Sequence, residues 1–299
     1  MNANLDSPVQ KENNTGKVIV GFNDKPFDIF LLKLDNLHLV GRKTPARINI
    51  ADEKSRRKSC LVEPDMLFGK LIKFAELTEG YEIIYQKLPD EVIQDKFALI
   101  SPLDELIYPL KRLIDGQEVA QPEEYWNNCA TDVSLLDDDE IFLREMTGNI
   151  LMEYLVPGSI VYDPACSTGA FLAHLKKISP EICTVGQDLN PNMIAIAKER
   201  VDKVCAGNSL IPVCSEKSVD VVICRHLNLD VVTSEVAKEL FLAAAESLKI
   251  GGVMVVIGHT PILITSAWME EQGFNVLRRN CVTPYAHAVF QLYLFIKKS

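Results

Sequence analysis

The sequence predicts an α/β fold built on a mostly parallel sheet with helices on both faces, and three observations carry that prediction. From about Gly158 onward, short apolar runs alternate with helix-like segments, the pattern of parallel strands buried on both sides. Within the twenty residues of GSIVYDPACSTGAFLAHLKK an apolar run, an acid, a cluster of small residues and an apolar-periodic segment follow one another. That order is a strand, a tight turn and a helix. Two last apolar runs joined through CVTPYAHA read as an antiparallel pair closing the sheet.

Taken in order, the chain begins with MNANLDSPVQKENNTGK, which is polar and lacks the apolar segment of a secretory signal; residues 1–16 are therefore expected to be a disordered leader. Residues 17–136 are less regular. They hold strand-like KVIVGF, FDIFLLKL and ALI and a helix-like LIYPLKRLIDG, an α+β extension expected to act as a cap, an oligomer contact or both. The basic run RKTPARINIADEKSRRK reads as a solvated loop. Tyr125 and Trp126 in PEEYWNN are either packing anchors or an aromatic flap over a ligand. The acidic DVSLLDDDE reads as a solvated loop leading into the helix EIFLREMTGNILMEYL, with Asp137 to Asp139 favoured near its start by the helix dipole.

The main domain is expected to span 137–299, with seven strands at 160–162, 183–187, 203–206, 219–224, 253–258, 275–279 and 289–296. Helices are expected at 170–177, 191–201, 234–248 and 264–272. The second of these has the best-marked start, with Asn190 as N-cap and Pro191 in the first turn.

Composition narrows the function. Hydrophobic residues are 47% of 299, enough for a sizeable core, and no apolar run is long enough to span a bilayer; a cytoplasmic location is the default expectation. The eight cysteines show no C-x-x-C pair, which argues for reduced thiols packed as small hydrophobes rather than a metal site. A formal net charge of -10 opposes general attraction to nucleic acid.

The turn after the first main-domain strand carries the chemistry. Asp163 ends the strand, and Ala165, Ser167 and Gly169 follow at alternate positions, with Cys166 between them, where a slim backbone lets a ligand approach. Neither the phosphate-binding pattern G-x-x-x-x-G-K-[ST] nor the dinucleotide pattern G-x-G-x-x-G is present, so the turn favours a nucleoside without phosphates. Asp188 ends the next strand in VGQDLNP and is placed to accept hydrogen bonds from ribose hydroxyls.

YDPACSTGAFL followed by VGQDLNPNMIAIAKER resembles the class I S-adenosylmethionine-dependent methyltransferases over roughly 137–299. The departures are Ala165 and Ser167, which stand where that family usually has glycines. The resemblance implies a Rossmann-like seven-stranded sheet with a reversed last strand, S-adenosyl-L-methionine as cofactor and S-adenosyl-L-homocysteine as product. It implies that Asp188 holds the ribose, Met193 or Leu189 flanks the adenine, Asn208 and Ser209 touch its edge, and Asp163 helps to order the methionine amino group. SVDVVICRHLNL carries the fourth strand and brings Arg225, His226 and Leu227 beside the methionine end and the substrate entrance; GGVMVVIGHTP carries the fifth.

A sulfonium-bound methyl is already activated, so the protein's task is to align a nucleophile and exclude water, with no metal required. A hydroxyl or amine acceptor calls for a base. The candidates are His226 and His259, and after them Tyr285 or His287; each has the alternative of an ordinary structural histidine or tyrosine. Trp126, Tyr285 and His287 are the candidate substrate contacts. The place that in the amino-group DNA methyltransferases carries an Asn-Pro-Pro-aromatic motif reads CRHLN here, so a small-molecule acceptor, in specialised metabolism, is expected over a nucleic acid. The alternatives are a nucleic-acid methyltransferase, a non-catalytic cofactor-binding scaffold, and transfer of the aminocarboxypropyl group instead of methyl. A homodimer through the N-terminal region is the expected assembly.

Overall fold

The computed structural model describes residues 14–21, 29–34, 37–42, 64–97, 105–107, 113–115, 117–138, 140–259, 262–285 and 288–298. The N-terminal part is mainly a sheet. Strands β1 (Thr15–Gly21), β2 (Ile29–Leu34), β3 (Leu37–Arg42), β4 (Leu67–Leu77), β5 (Gly80–Lys87) and β6 (Glu105–Ile107) pair antiparallel in the order β1-β5-β4-β3-β2-β6. Alternation drives it: Val20 of β1 and Tyr81 and Ile83 of β5 are buried with Ile29, Leu31 and Val40, while Lys17 and Lys73 flank Glu82 with their ammonium groups. One helix, α1 (Asp90–Phe97), follows β5.

Two expectations for this region change, and one falls outside the described residues. Thr15 and Gly16 belong to β1 and not to the leader, whose first thirteen residues lie outside the described ones. The strand expected at ALI (98–100) also lies outside them. The helix expected over LIYPLKRLIDG is replaced, where described, by β6 and by β7 (Leu113–Ile114), which pairs with β8 (Gln117–Glu118). Pro109 forbids a helix interior there, and pairing of Glu105–Ile107 with Leu31–Lys33 of β2 satisfies the backbone as strand instead.

Between the sheets run α2 (Glu123–Cys129), α3 (Ser134–Asp137) and α4 (Ile141–Leu151). The stretch expected as a solvated loop is thus partly helical, because Asp137 finds partners in the main domain: it accepts from Thr168 Oγ1 at 2.6 Å and Arg200 Nη1 at 2.8 Å.

The main domain holds β9 (Ile160–Asp163), β10 (Cys183–Asp188), β11 (Lys203–Ala206), β12 (Val219–Cys224), β13 (Leu248–His259), β14 (Phe274–Tyr285) and β15 (Ala288–Lys297), in the order β11-β10-β9-β12-β13-β15-β14. The first five pair in parallel, and β15 runs antiparallel to both β13 and β14. The α/β class, seven strands and reversed last strand therefore stand. Helices α5 (Ala170–Ile178), α6 (Pro191–Ala197), α7 (Ser234–Ser247) and α8 (Ser266–Glu271) connect the strands.

Successive residues of β12 enter opposite cores, which is why its sequence is continuously apolar. Val221 and Ile223 pack with Leu143, Phe171, Leu172 and Leu175 on the α4–α5 side. Val222 and Cys224 pack with Ala237, Phe241 and Ala244 on the α7 side. Each such large side chain, fully buried, contributes about 1.5–3 kcal/mol. Helix α6 is shorter than the expected 191–201: beyond Ala197 the chain tightens into Arg200 N–H to Ala197 C=O bonding, and the Arg200 side chain turns to Asp137. Among the described residues no helix is long and apolar enough to cross a membrane.

Candidate cofactor and substrate site

The carboxy ends of β9, β10 and β12 converge on the turn Pro164–Gly169. Its shape is set by its own bonds. Ala165 N–H donates to Asp163 Oδ1 at 3.0 Å, Cys166 N–H to Gln187 C=O at 2.8 Å, and Gly169 N–H to Cys166 C=O at 2.9 Å. Ser167 sits at φ 51°, a left-handed conformation that costs a side-chain-bearing residue about 1–2 kcal/mol; its N–H is thereby aimed at Asp188 Oδ2, 2.8 Å away. Gly169 has φ 78°, and a Cβ there would lie 2.7 Å from Val201 Cγ2, so glycine is required where the turn enters α5. Cys166 is buried under the turn, and burial pushes its thiol up, away from reactivity. Gly186 of β10 makes room for it, since a Cβ would meet Cys166 Sγ at 2.7 Å.

Asp188 is partly exposed. Besides Ser167 N–H it accepts from Asn190 N–H at 2.9 Å, and burial raises its pKa against these two bonds. Asn190 caps α6 as expected, accepting from Asn192 and Met193 N–H. The two alternatives for the adenine flank differ: Leu189 is 72% exposed beside the site, whereas Met193 is buried, 3.6 Å from Ser167 Oγ through its sulfur. Asn208 Oδ1 accepts from Leu210 N–H at 3.0 Å, and the Ser209 hydroxyl donates to Pro164 C=O, joining the β11 loop to the turn.

At the other end, Asp163 is fully buried, and its second oxygen accepts from Arg225 Nε at 3.1 Å. Burial raises its carboxyl pKa; the Arg225 charge opposes this. Arg225 also donates to Glu140 Oε2 at 2.5 Å and Ala165 C=O at 3.1 Å, and its guanidinium lies 5.2 Å from the Phe171 ring centroid. His226, next in the chain, is 4% exposed, and among the described residues neither ring nitrogen has a partner. Burial, helped by the Arg225 charge, lowers its pKa to about 3, so it is neutral. His287 lies outside the described residues, and for His259 on β13 and Tyr285 on β14 the description covers the backbone only.

The segment between the sheets is tied to this same edge. Asn127 Oδ1 accepts from Asn190 Nδ2 at 2.9 Å and Asn192 Nδ2 at 3.3 Å. Gln121 N–H donates to Asp230 C=O at 2.8 Å and Ser234 N–H to Glu118 Oε2 at 2.5 Å. Trp126, half-buried, stands edge-on to Tyr125 with ring centroids 5.0 Å apart, one residue from the Asn127 tie. Glu140, Asn127 and Gln187 are the site residues that the sequence reading missed. Nothing local marks Glu140 or Asn127, whose roles exist only through partners 63 to 85 positions away.

A family model described as a methyltransferase domain matches residues 161–252. The chain is 37% identical over 280 residues to isonocardicin synthase of Nocardia uniformis subsp. tsuyamanensis, covering 91% of this chain and 92% of that protein. Similar solved structures include the N-methyltransferase NodS of Bradyrhizobium japonicum in complex with S-adenosylhomocysteine (16% identity, TM-score 0.48, 59% of this chain and 98% of that one). Another is a TehB-like methyltransferase of Corynebacterium glutamicum (16% identity, TM-score 0.47, 59% and 100%).

Proposed function

Because the chain belongs to the class I S-adenosylmethionine-dependent methyltransferases and uses S-adenosyl-L-methionine, we propose that it alkylates an O, N or S atom of a small molecule, with methyl as the group moved. The observation that carries the small-molecule reading is the relative of 37% identity, an enzyme named for making one compound, isonocardicin.

The residues present fit the cofactor. Asp188 offers a carboxylate with lone pairs to spare beyond its two backbone bonds, suited to a ribose diol. The turn carries no phosphate-binding pattern, and opposite charges stand at the far end in Arg225 and Glu140. The cofactor supplies a carbon made electrophilic by a sulfonium. Asp188 would hold the nucleoside and the slim turn would allow close approach; Trp126, half-buried beside the Asn127 tie, is the described candidate for contact with the acceptor, and Tyr285 and His287 are proposed for that role from the sequence alone. His226, if it meets the acceptor, does so as a neutral imidazole, and His259 is the other candidate base. We further propose a cytoplasmic homodimer through the N-terminal sheet, where Ile19 and Ile72 are more than half exposed.

A second reading is favoured by one observation: the relative's name is that of a synthase and specifies no methyl transfer. Attack at the aminocarboxypropyl carbon would form the new bond there and send the C–S pair to sulfur, leaving methylthioadenosine. Product analysis after incubation with S-adenosylmethionine and candidate acceptors decides. S-adenosylhomocysteine with an acceptor one methyl heavier is expected; methylthioadenosine with an acceptor enlarged by the amino-acid group would replace methyl transfer by the second reading.

A further inference from the structure

We propose that Glu140, which lies ahead of the matched methyltransferase segment, is a cofactor-binding residue: with Arg225 it grips the α-amino-acid end of the cofactor, Glu140 taking the ammonium and Arg225 the carboxylate. This rests on the cofactor reading above and assigns to Glu140 the contact that the family resemblance gave to Asp163.

Burial separates the two acids. Asp163 has no exposed surface, and both oxygens are occupied, Oδ1 by Ala165 N–H and Oδ2 by Arg225 Nε. Its carboxylate has no face to offer a ligand and acts on Arg225, which it holds in place. The Glu140 side chain is 27% exposed. One oxygen is on Arg225 Nη1, and among the described residues no partner is seen for the other. The Arg225 side chain is 9% exposed and spends three of its N–H groups on Asp163, Glu140 and Ala165 C=O. A guanidinium has five, so one N–H remains on each terminal nitrogen.

Charge then selects the ligand. Two carboxylates share one guanidinium, leaving the cluster one negative charge in excess. A ligand bearing only a carboxylate or a phosphate would add to that excess. An α-amino acid supplies an ammonium for the free Glu140 oxygen and a carboxylate for the spare N–H pair, leaving neither desolvated charge uncompensated. Position agrees as well: Arg225 is bonded to Ala165 C=O while Asp188 is bonded to Ser167 N–H, so the turn joins the ribose end to the amino-acid end within three residues.

Calorimetry with three ligands tests this on the whole protein: S-adenosylhomocysteine, its analogue lacking the amino group, and methylthioadenosine, which lacks the amino-acid end altogether. In the wild type, losing the ammonium is expected to weaken binding about tenfold or more. Glu140→Gln is expected to weaken S-adenosylhomocysteine by a similar factor while leaving methylthioadenosine within about twofold. Equal affinity of the wild type for S-adenosylhomocysteine and the deamino analogue would overturn the proposal without any variant. A Glu140→Gln protein that loses both nucleosides equally would overturn it too, by showing that Glu140 only holds the turn. Wild type binding no nucleoside at all would instead sink the cofactor reading on which the proposal stands.

Discussion

Asp163 and Asp188 end neighbouring strands, yet they do different work, and burial is what separates them. Asp163 is enclosed and bonded inside the protein, whereas Asp188 keeps a side toward solvent. The same physics governs His226. Its position after β12 was legible in CRHLN, but the sequence could not show that the imidazole is enclosed and, among the described residues, without a hydrogen-bond partner. A histidine whose proton affinity is that low is a poor base at neutral pH. Stability should record it. Above about pH 6.5 the imidazole is neutral whether folded or unfolded, and it contributes no slope. Below that, the unfolded chain takes a proton that the fold refuses until about pH 3, so stability falls with pH, by about 2 kcal/mol at pH 5. His174, also lowered, acts in the same direction; Asp163 and Asp188, raised by burial, act in the opposite one. The useful quantity is therefore the difference between wild type and His226→Gln in urea unfolding at pH 7.5 and pH 5. The variant should lose about 2 kcal/mol less than wild type between them. Equal losses would mean that the imidazole is protonated in the fold.

Among the elements, the main-domain strands were legible because both of their faces are buried, which writes a continuous apolar run, and α6 because Asn190 and Pro191 mark its start locally. The segment from Glu118 to Glu140 was not legible, since it is held by side-chain bonds to residues far along the chain. LIYPLKRLIDG misled because apolar spacing outweighed Pro109 in the reading, whereas pairing with β2 decided the structure. Between β11 and β12 no helix forms, and one buried side chain does the holding. Gln187, 2% exposed, accepts from Tyr162 Oη at 2.6 Å and Val213 N–H at 3.0 Å and donates to the carbonyls of Asn208 and Ile211, both at 3.1 Å. Gln187→Leu strands a hydroxyl, an amide and two carbonyls at once. We expect a loss of about 3 kcal/mol or more in denaturant unfolding, with faster amide exchange at Leu210, Ile211 and Val213. A loss below about 1 kcal/mol would show that water replaces the network.

Over the whole molecule, charge and coverage favour the proposed small-molecule acceptor over a nucleic acid. Lysine and arginine number 31 against 41 acids, and the basic run at 42–58 lies outside the described residues apart from Arg42. At the site, Arg225 is shared by two carboxylates, so a phosphate brought to its spare N–H groups would add to a negative charge already in excess. The edge around it is tied by Asn127, Glu118 and Glu140 to α6, α7 and Arg225 respectively, which narrows the approach for a polymer. Nucleic-acid affinity rests on releasing counterions from several phosphates at once, and no described feature here supplies the cations. Labelled single strands and duplexes of about 20 nucleotides should therefore show no saturable anisotropy change up to about 50 µM protein at about 0.15 M salt. A dissociation constant below about 10 µM whose logarithm rises linearly with that of the salt would place phosphates in the binding site, and the acceptor would then have to be sought among nucleic acids.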